Sequence, residues 1–252
     1  MTHDETWLLR EKYDGEKTEG FFADCNRLEL GEPLAYLIGS VPFLNTTIYL
    51  DSHPLIPRTE TEYWVEKIII HLQTLTNTSI RVLDLCAGSG CIGVAVLKAI
   101  PSTIVNFVEI DDSHHSTIRK NIEKNGINPI RTHLCGGSLF EKVRGTYDCI
   151  LANPPYIDIT LNRVDADVVA YEPALALYGG KDGVAFLTDI IAQASTFLTP
   201  TGILVLEHEP EHVAYIHTIA TQHGFVTTTF PDQYEKSRYT LFSRVVPQSM
   251  PQ

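Results

Sequence analysis

The stretch from Arg81 to Ala99 constrains the fold of this 252-residue chain more than any other. It reads as a short apolar strand, Arg81 to Leu85, then a glycine-rich segment up to Gly93, then a helix-like run. Glycines let the backbone turn sharply and approach a ligand closely, and the free N–H groups at a helix start favour a negatively charged group. We therefore expect a parallel α/β sheet with a cofactor cradle at the carboxyl end of this strand.

The same segment leaves the cofactor open between two classes. Gly88-x-Gly90-x-x-Gly93 fits the dinucleotide fingerprint, and the next strand-like run ends in Glu109, roughly 20 residues on, where an acid holds ribose hydroxyls. A nicotinamide cofactor and S-adenosylmethionine both carry such hydroxyls. The glycine pattern by itself therefore does not separate them.

A second segment separates them. Asn153-Pro154-Pro155-Tyr156 follows the strand-like run Tyr147 to Ala152. Neither proline can donate to a sheet ladder, so the pair ends the strand and holds Asn153 and Tyr156 at its carboxyl end, where open α/β sheets bind ligands. The Asn153 side-chain oxygen and the Pro154 carbonyl can together accept both hydrogens of one planar NH2 group. Hydride transfer has no use for such a pair of acceptors, whereas methyl transfer to nitrogen does.

These two segments together resemble the class I S-adenosylmethionine-dependent N-methyltransferases. More narrowly, the chain resembles the HemK/PrmC family of peptide chain release factor N5-glutamine methyltransferases. The narrower resemblance spans about residues 31 to 244 and adds further segments: Gly31 to Gly39, Leu55 to Glu62, Tyr171 to Leu177, Gly179 to Gly183, and Leu204 to His208. It implies an α/β fold with a doubly wound, mostly parallel, Rossmann-like sheet of seven strands.

The resemblance also implies an activity and its residues. The protein would transfer a methyl group from S-adenosyl-L-methionine to the side-chain amide nitrogen, N5, of the glutamine in the Gly-Gly-Gln motif of class I release factors. The implied catalytic residues are Asn153, Pro154 and Tyr156, with Tyr156 as an aromatic wall for the amide. The implied cofactor-binding residues are Asp84, Cys86, Ala87, Gly88, Ser89, Gly90, Glu109, Leu139 and Asn153. The implied substrate-binding residues are Asn153, Pro154, Pro155, Tyr156, Arg58 and Glu62.

Three departures from the family pattern bear on these expectations. The family usually has glycine where Cys86 stands and aspartate where Ser138 stands, and Ser138 is a shorter, neutral acceptor for the adenine amino group. The family's helical amino-terminal domain is longer than the thirty residues before Gly31, so we expect a small, shortened appendage. Asp84 either binds the cofactor's amino group, which we favour, or hydrogen-bonds the glycine turn.

Two other functions stay open at this point. One is N-methyl transfer to another acceptor, either a ribosomal protein glutamine or a nucleic-acid adenine, because adenine methyltransferases share the Asn-Pro-Pro-Tyr segment. The other is a non-catalytic fold relative, for which Cys86 and Ser138 are the hints.

Composition weighs against direct binding of nucleic acid. The net charge is −12 with histidines neutral, and Lys and Arg form no cluster along the sequence. Neutralising several DNA phosphates needs such clusters, whereas an acidic surface suits a basic protein partner. No apolar run approaches the ~20 residues of a membrane span, and the amino terminus lacks the basic start of a signal peptide. We expect a cytoplasmic monomer without membrane contact.

Metal binding is also not expected. Five cysteines without a Cys-x-x-Cys pair indicate neither a disulfide framework nor a zinc site. His208 and His212 flank acids, but Pro210 interrupts that segment. His114-His115 reads as a solvated helix start.

The chain divides into four expected parts: a helical substrate-recognition appendage at 1–40, a β-hairpin and linker at 41–58, the methyltransferase domain at 59–246, and a disordered tail at 247–252. We expect a linker from Gly31 to Ser40, a hairpin from Phe43 to Leu50, and a helix from Glu60 to Leu75. Three late strands are expected at Ile203 to Glu207, Phe225 to Phe230 and Tyr239 to Val246, the last two antiparallel.

Overall fold

The computed structural model describes residues 1–74, 79–158, 160 and 165–244. Its strands are β1 (Ser40–Phe43), β2 (Thr46–Tyr49), β3 (Arg81–Leu85), β4 (Ile104–Glu109), β5 (Thr132–Gly136), β6 (Tyr147–Ala152), β7 (Leu198–Glu207), β8 (Val226–Pro231) and β9 (Ser237–Ser243). Its α-helices are α1 (His3–Tyr13), α2 (Glu19–Glu29), α3 (Leu34–Ile38), α4 (Thr59–Thr74), α5 (Cys91–Ala99), α6 (His115–Lys124), α7 (Ala166–Tyr171), α8 (Ala174–Leu177), α9 (Ala185–Phe197) and α10 (Val213–Gln222).

The central sheet has seven strands in the order β5-β4-β3-β6-β7-β9-β8. Strand β9 runs antiparallel to both of its neighbours, and the other adjacent pairs are parallel. The predicted doubly wound, mostly parallel sheet is confirmed. The chain proceeds from β3 outward to β5 and then returns to β6 on the other side of β3. Sheets of this kind bind ligands at such a reversal, outside the carboxyl ends of the strands.

Alternating side chains of β3 pack against helices on both faces of the sheet. Val82 belongs to an apolar cluster with Trp64 and Ile68 of α4, whereas Leu83 belongs to a second cluster with Leu187 of α9. Strands buried on both faces read as continuous apolar runs, which is why β3 shows no polar alternation. Full burial of each such side chain contributes about 1.5–3 kcal/mol, and it gives the site a rigid edge.

The amino-terminal appendage consists of α1, α2 and α3. Leu8, Phe21 and Leu37 bury a small apolar cluster that is separate from the two sheet clusters. The predicted linker from Gly31 to Ser40 is therefore wrong in part, because α3 forms inside it and supplies Leu37 to this cluster. A helix of five residues is too short to leave a periodic signal in the sequence.

The hairpin of β1 and β2 begins at Ser40 instead of the predicted Phe43, and it is fastened to the glycine-rich loop by Asn121 of α6. The Asn121 side chain accepts from the Tyr49 N–H at 2.7 Å and donates to the Tyr49 carbonyl at 3.1 Å. It also donates to the Ser89 carbonyl at 2.9 Å. One buried amide thus fixes the loop after β3 relative to the hairpin.

Other predictions have mixed outcomes. The helix predicted from Glu60 corresponds to α4, and the last two strands pair antiparallel as predicted. The solvated position predicted for His114 is wrong, because the side chain packs against Ser52, with His114 Nδ1 2.8 Å from Ser52 Oγ. The predicted tail 247–252 and the end of the last strand at Val246 lie outside the described residues. No helix in the described ranges has the length and apolar composition needed to cross a membrane.

Candidate active site

A cavity opens at the carboxyl ends of β3, β4 and β6, where the strand order reverses. We call it the glycine-loop cavity. Its lining includes Cys86, Ala87, Gly88 and Ser89 after β3, Glu109 at the end of β4, Ser138 and Leu139 after β5, Asn153 and Pro155 after β6, and Arg58 and Thr61 at the start of α4. Predicted site residues that are far apart in the sequence therefore lie together in one cavity.

Glu109 holds the glycine-rich loop in place by hydrogen bonds. Its buried carboxylate accepts from the Gly88 N–H at 2.7 Å and from the Asp111 N–H at 2.9 Å. Gly88 has a φ of +54°, and a Cβ added to it would enter open space, with no other atom within 4 Å. The loop thus leaves room for a ligand, and the Glu109 oxygens keep lone pairs for hydroxyl donors. Both features fit the expected S-adenosylmethionine, whose ribose carries such hydroxyls.

Cys86 and Cys91 both line this cavity as free thiols. Cys86 has a φ of +62°, a left-handed conformation in which any residue with a Cβ is strained and glycine is not. Burial raises the pKa of the Cys91 thiol to about 12 and that of the Cys86 thiol further. Both thiols are therefore neutral near pH 7, and they make the lining apolar instead of anionic.

Asp84 lies behind the cavity wall and is fully buried. Its Oδ2 accepts from the Gly93 N–H at 2.9 Å, at the start of α5. Its Oδ1 has no hydrogen-bond partner within the described part of the chain. Burial raises the pKa of this carboxyl to about 8, against a weaker opposing effect of the Gly93 hydrogen bond. The observed contact is the one with the glycine turn, the alternative that was not favoured from the sequence.

Asn153 is held from behind by a hydrogen-bonded network. Asn153 Nδ2 is 3.2 Å from Thr61 Oγ1, and Thr61 Oγ1 is 2.7 Å from Glu207 Oε2. The same Glu207 oxygen accepts from Trp64 Nε1 at 2.5 Å, and Glu207 Oε1 accepts from the Tyr156 hydroxyl at 2.9 Å. Burial raises the pKa of Glu207, and the three donors oppose that shift.

A second cavity adjoins the first, and Arg58 lines both. We call it the acidic cavity, because carboxylates outnumber arginines in its lining by six to two. The arginines are Arg58 and Arg238, and the carboxylates are Glu60, Asp158, Asp165, Glu207, Glu209 and Glu211. Tyr156 lines this cavity and is not among the lining residues of the glycine-loop cavity. Because Tyr156 also donates to Glu207, it connects the acidic cavity to the hydrogen-bonded network that holds Asn153.

Arg58 and Glu62, both predicted to bind substrate, have different surroundings. Arg58 Nη2 pairs with Oε1 of the buried Glu172 at 2.6 Å, and Glu172 Oε2 also accepts from the Ile56 N–H at 3.1 Å. Glu172 therefore holds the segment before α4 against the cavity. The Glu62 carboxylate accepts from the Leu44 N–H at 2.5 Å, which ties α4 to the hairpin, and Glu62 lines neither cavity. Substrate binding by Glu62 stays a prediction.

Asp84 and Gly90 are the predicted cofactor-binding residues that lie outside the cavity lining. Gly90 directly precedes α5 with a φ of +78°, and a Cβ there would be 3.2 Å from the Ile118 side chain. Pro154 is buried between two lining residues. Sequence reasoning missed Thr61 as the partner of Asn153 and Glu207 as the partner of Thr61. A carboxylate directly after the apolar run of β7 was the available signal, because it stands at the carboxyl end of a parallel strand.

Comparison with known proteins identifies the family of this chain. The family model described as "Methyltransferase small domain" matches residues 68–173. A release factor glutamine methyltransferase of Thermodesulfovibrio yellowstonii is 34% identical over 77% of this chain and 70% of its own length. One of Yersinia pestis is 35% identical over 86% of this chain and 77% of its own.

The solved structures show the same fold. A methyltransferase from Pyrococcus furiosus aligns with a TM-score of 0.59 at 19% identity, covering 89% of this chain and 99% of its own. The residues matched by the family model, 68–173, include both the glycine-rich loop and the Asn-Pro-Pro-Tyr segment. This chain therefore belongs to the release factor glutamine methyltransferase family, and it is an S-adenosylmethionine-dependent methyltransferase.

Proposed function

We propose that this protein methylates the side-chain amide of the glutamine in the Gly-Gly-Gln loop of class I peptide chain release factors. The observation that carries the proposal is the position of Asn153. It lines the glycine-loop cavity and directs its NH2 group to Thr61, so its carbonyl oxygen is left as an acceptor for a ligand. The names of the relatives, at 34% and 35% identity, support the same acceptor.

The chemistry follows from the properties of an amide. Its nitrogen is a poor nucleophile because the lone pair is delocalised into the carbonyl. Asn153 Oδ1 and the Pro154 carbonyl accept both N–H bonds of the substrate amide, hold the nitrogen in one orientation and let the lone pair localise as the new bond forms. The glycine-rich loop and Glu109 would hold S-adenosylmethionine, which would supply the methyl group. The S–CH3 bond would break as the N–CH3 bond forms, S-adenosylhomocysteine would be left, and the amide nitrogen would then lose one proton to water or a nearby carboxylate. The same two oxygens stabilise the positive charge that develops on nitrogen.

The charge around the site supports a protein acceptor over nucleic acid. Six carboxylates and two arginines line the acidic cavity beside Tyr156, and the chain as a whole carries a net charge of −12. Such a surface repels phosphates and attracts basic peptide segments. The cytoplasmic location, the monomeric state and the absence of direct nucleic-acid contact stay predictions.

The test compares two forms of one release factor. We expect transfer from labelled S-adenosylmethionine to the factor with the native loop glutamine, and none to the factor in which that glutamine is replaced by glutamate. The replacement puts an oxygen where the NH2 group was, so the two acceptors of the site would face a third. Mass spectrometry of the loop peptide measures the product. Methylation of the glutamate form, or of adenine in DNA at a comparable rate, would contradict the proposed acceptor.

We also expect Glu109→Ala to weaken S-adenosylmethionine binding by roughly 1–3 kcal/mol, because it removes a charged acceptor from the cavity wall and leaves the Gly88 N–H unpaired. Calorimetric titration measures the change. Glu123→Ala, which removes an exposed glutamate from α6, is the matched control and should bind as the unaltered protein does. Equal affinities in the two variants would remove Glu109 from the cofactor site.

A further inference from the structure

In the buried hydrogen-bonded network that holds Asn153, the chemistry of each group fixes which partner donates and which accepts. Trp64 Nε1 can only donate a hydrogen bond, and it donates to Glu207 Oε2. Both Glu207 oxygens are acceptors, Oε2 for Trp64 and Oε1 for the Tyr156 hydroxyl, and the Thr61 hydroxyl gives its single hydrogen to Oε2, 2.7 Å away. The Thr61 oxygen then has nothing left to donate. Toward Asn153 it acts as an acceptor.

This direction decides which way the Asn153 amide faces. The amide nitrogen and oxygen are nearly equal in shape, so only hydrogen bonding assigns them. Since Thr61 Oγ1 accepts, the group 3.2 Å from it is the NH2 group, and the carbonyl oxygen is on the other side of the amide plane. A flipped amide would place two acceptors against each other in a buried setting, where an unpaired polar group is costly.

The surrounding fold keeps this network rigid. Thr61 and Trp64 are one helical turn apart on α4, so their side chains lie on one face. Glu207 ends β7, which pairs with β6 so that Leu206 stands opposite Ala152, and this register places Glu207 beside Asn153. Thr61, Trp64 and Glu207 are 2%, 0% and 1% exposed, so the network is almost entirely shielded from bulk water.

We propose that Thr61, oriented by Glu207, is a positioning and specificity-determining residue that locks the Asn153 amide with its carbonyl oxygen toward the substrate. With the amide held in this orientation, the site accepts hydrogen bonds from an NH2 group and does not bind a carboxylate. It rests on the proposed function, since it concerns how that site distinguishes glutamine from glutamate. Thr61 acts through Asn153 and takes no part in the methyl transfer itself.

The test uses Thr61→Val, which keeps the shape of the side chain and removes the hydroxyl, and Thr61→Ser, which keeps the hydroxyl. We expect Thr61→Val to lower kcat about tenfold or more, because Asn153 then samples both orientations. We expect Thr61→Ser to retain most of the turnover. Thr61→Ala is the second hydroxyl-free variant, and thermal unfolding of each variant establishes that it is folded.

Competition by the glutamate form of the release factor gives a readout that a merely structural role of Thr61 would not move. A freed Asn153 can turn its NH2 group toward a carboxylate, so the glutamate form should inhibit Thr61→Val more strongly, relative to the glutamine form, than it inhibits the unaltered protein. Failure of the unaltered protein to methylate the glutamine form contradicts the proposed function. If the unaltered protein does methylate the glutamine form, but Thr61→Val and Thr61→Ala both keep its kcat and its discrimination between glutamine and glutamate, only the proposed role of Thr61 is contradicted.

Discussion

Replacing Asn153 by alanine is expected to lower methyl transfer to the release factor by about 10²–10³-fold, comparable to losing one preorganised transition-state acceptor. The substitution removes the side-chain oxygen that would receive one of the two amide hydrogens, and it leaves the Pro154 carbonyl as the only acceptor. The fold should survive, because Asn153 lies after the last residue of β6 and is not part of the sheet. Single-turnover rates at saturating cofactor measure the loss without interference from product release.

Asn45→Ala is the matched control for this variant. Asn45 is an exposed asparagine in the turn between β1 and β2, and it lines neither cavity, so its removal changes the same chemical group away from the site. If Asn153→Ala turned over within a few-fold of Asn45→Ala, the double-acceptor mechanism would be wrong. A loss confined to cofactor affinity would instead assign Asn153 to the cofactor.

The contribution of Asp84 to stability is expected to fall as pH rises toward 8, and Asp84→Asn should remove that part of the pH dependence. Burial raises the pKa of the Asp84 carboxyl from 3.8 to about 8, so the folded protein holds a proton that the unfolded chain has released between these values. The stabilisation is fully present below the lower value and is lost as pH rises through the upper one. The slope is at most about 1.4 kcal/mol per pH unit.

Urea unfolding at several pH values between about 5 and 8 measures this slope in both proteins. The difference in unfolding free energy between the unaltered protein and Asp84→Asn should change steadily across that range. Asp189→Asn, at an exposed position of α9, makes the same change in net charge and should run parallel to the unaltered protein. Parallel curves for Asp84→Asn as well would mean that Asp84 titrates below this range.

The sequence by itself determined the parts of the site whose signals are local. The strand and glycine turn around Gly88, and the prolines that stop β6 after Ala152, each act within a few residues of themselves. Apolar runs long enough to be buried on both faces identified the central strands. The parallel order of those strands then placed Glu109 and Asn153 at one edge, because parallel strands present their carboxyl ends together.

Tertiary structure alone decided which side chains stand behind those residues. Thr61 and Glu207 are 146 positions apart and meet only because α4 packs over the carboxyl end of β7. His114 was predicted to be solvated, but Ser52 covers it, and the hairpin engages the Glu62 carboxylate, a contact that no local signal indicates. The physical reason is common to all three. Local sequence fixes backbone direction over a few residues, whereas burial and the direction of a hydrogen bond depend on the group that another element brings to the same place.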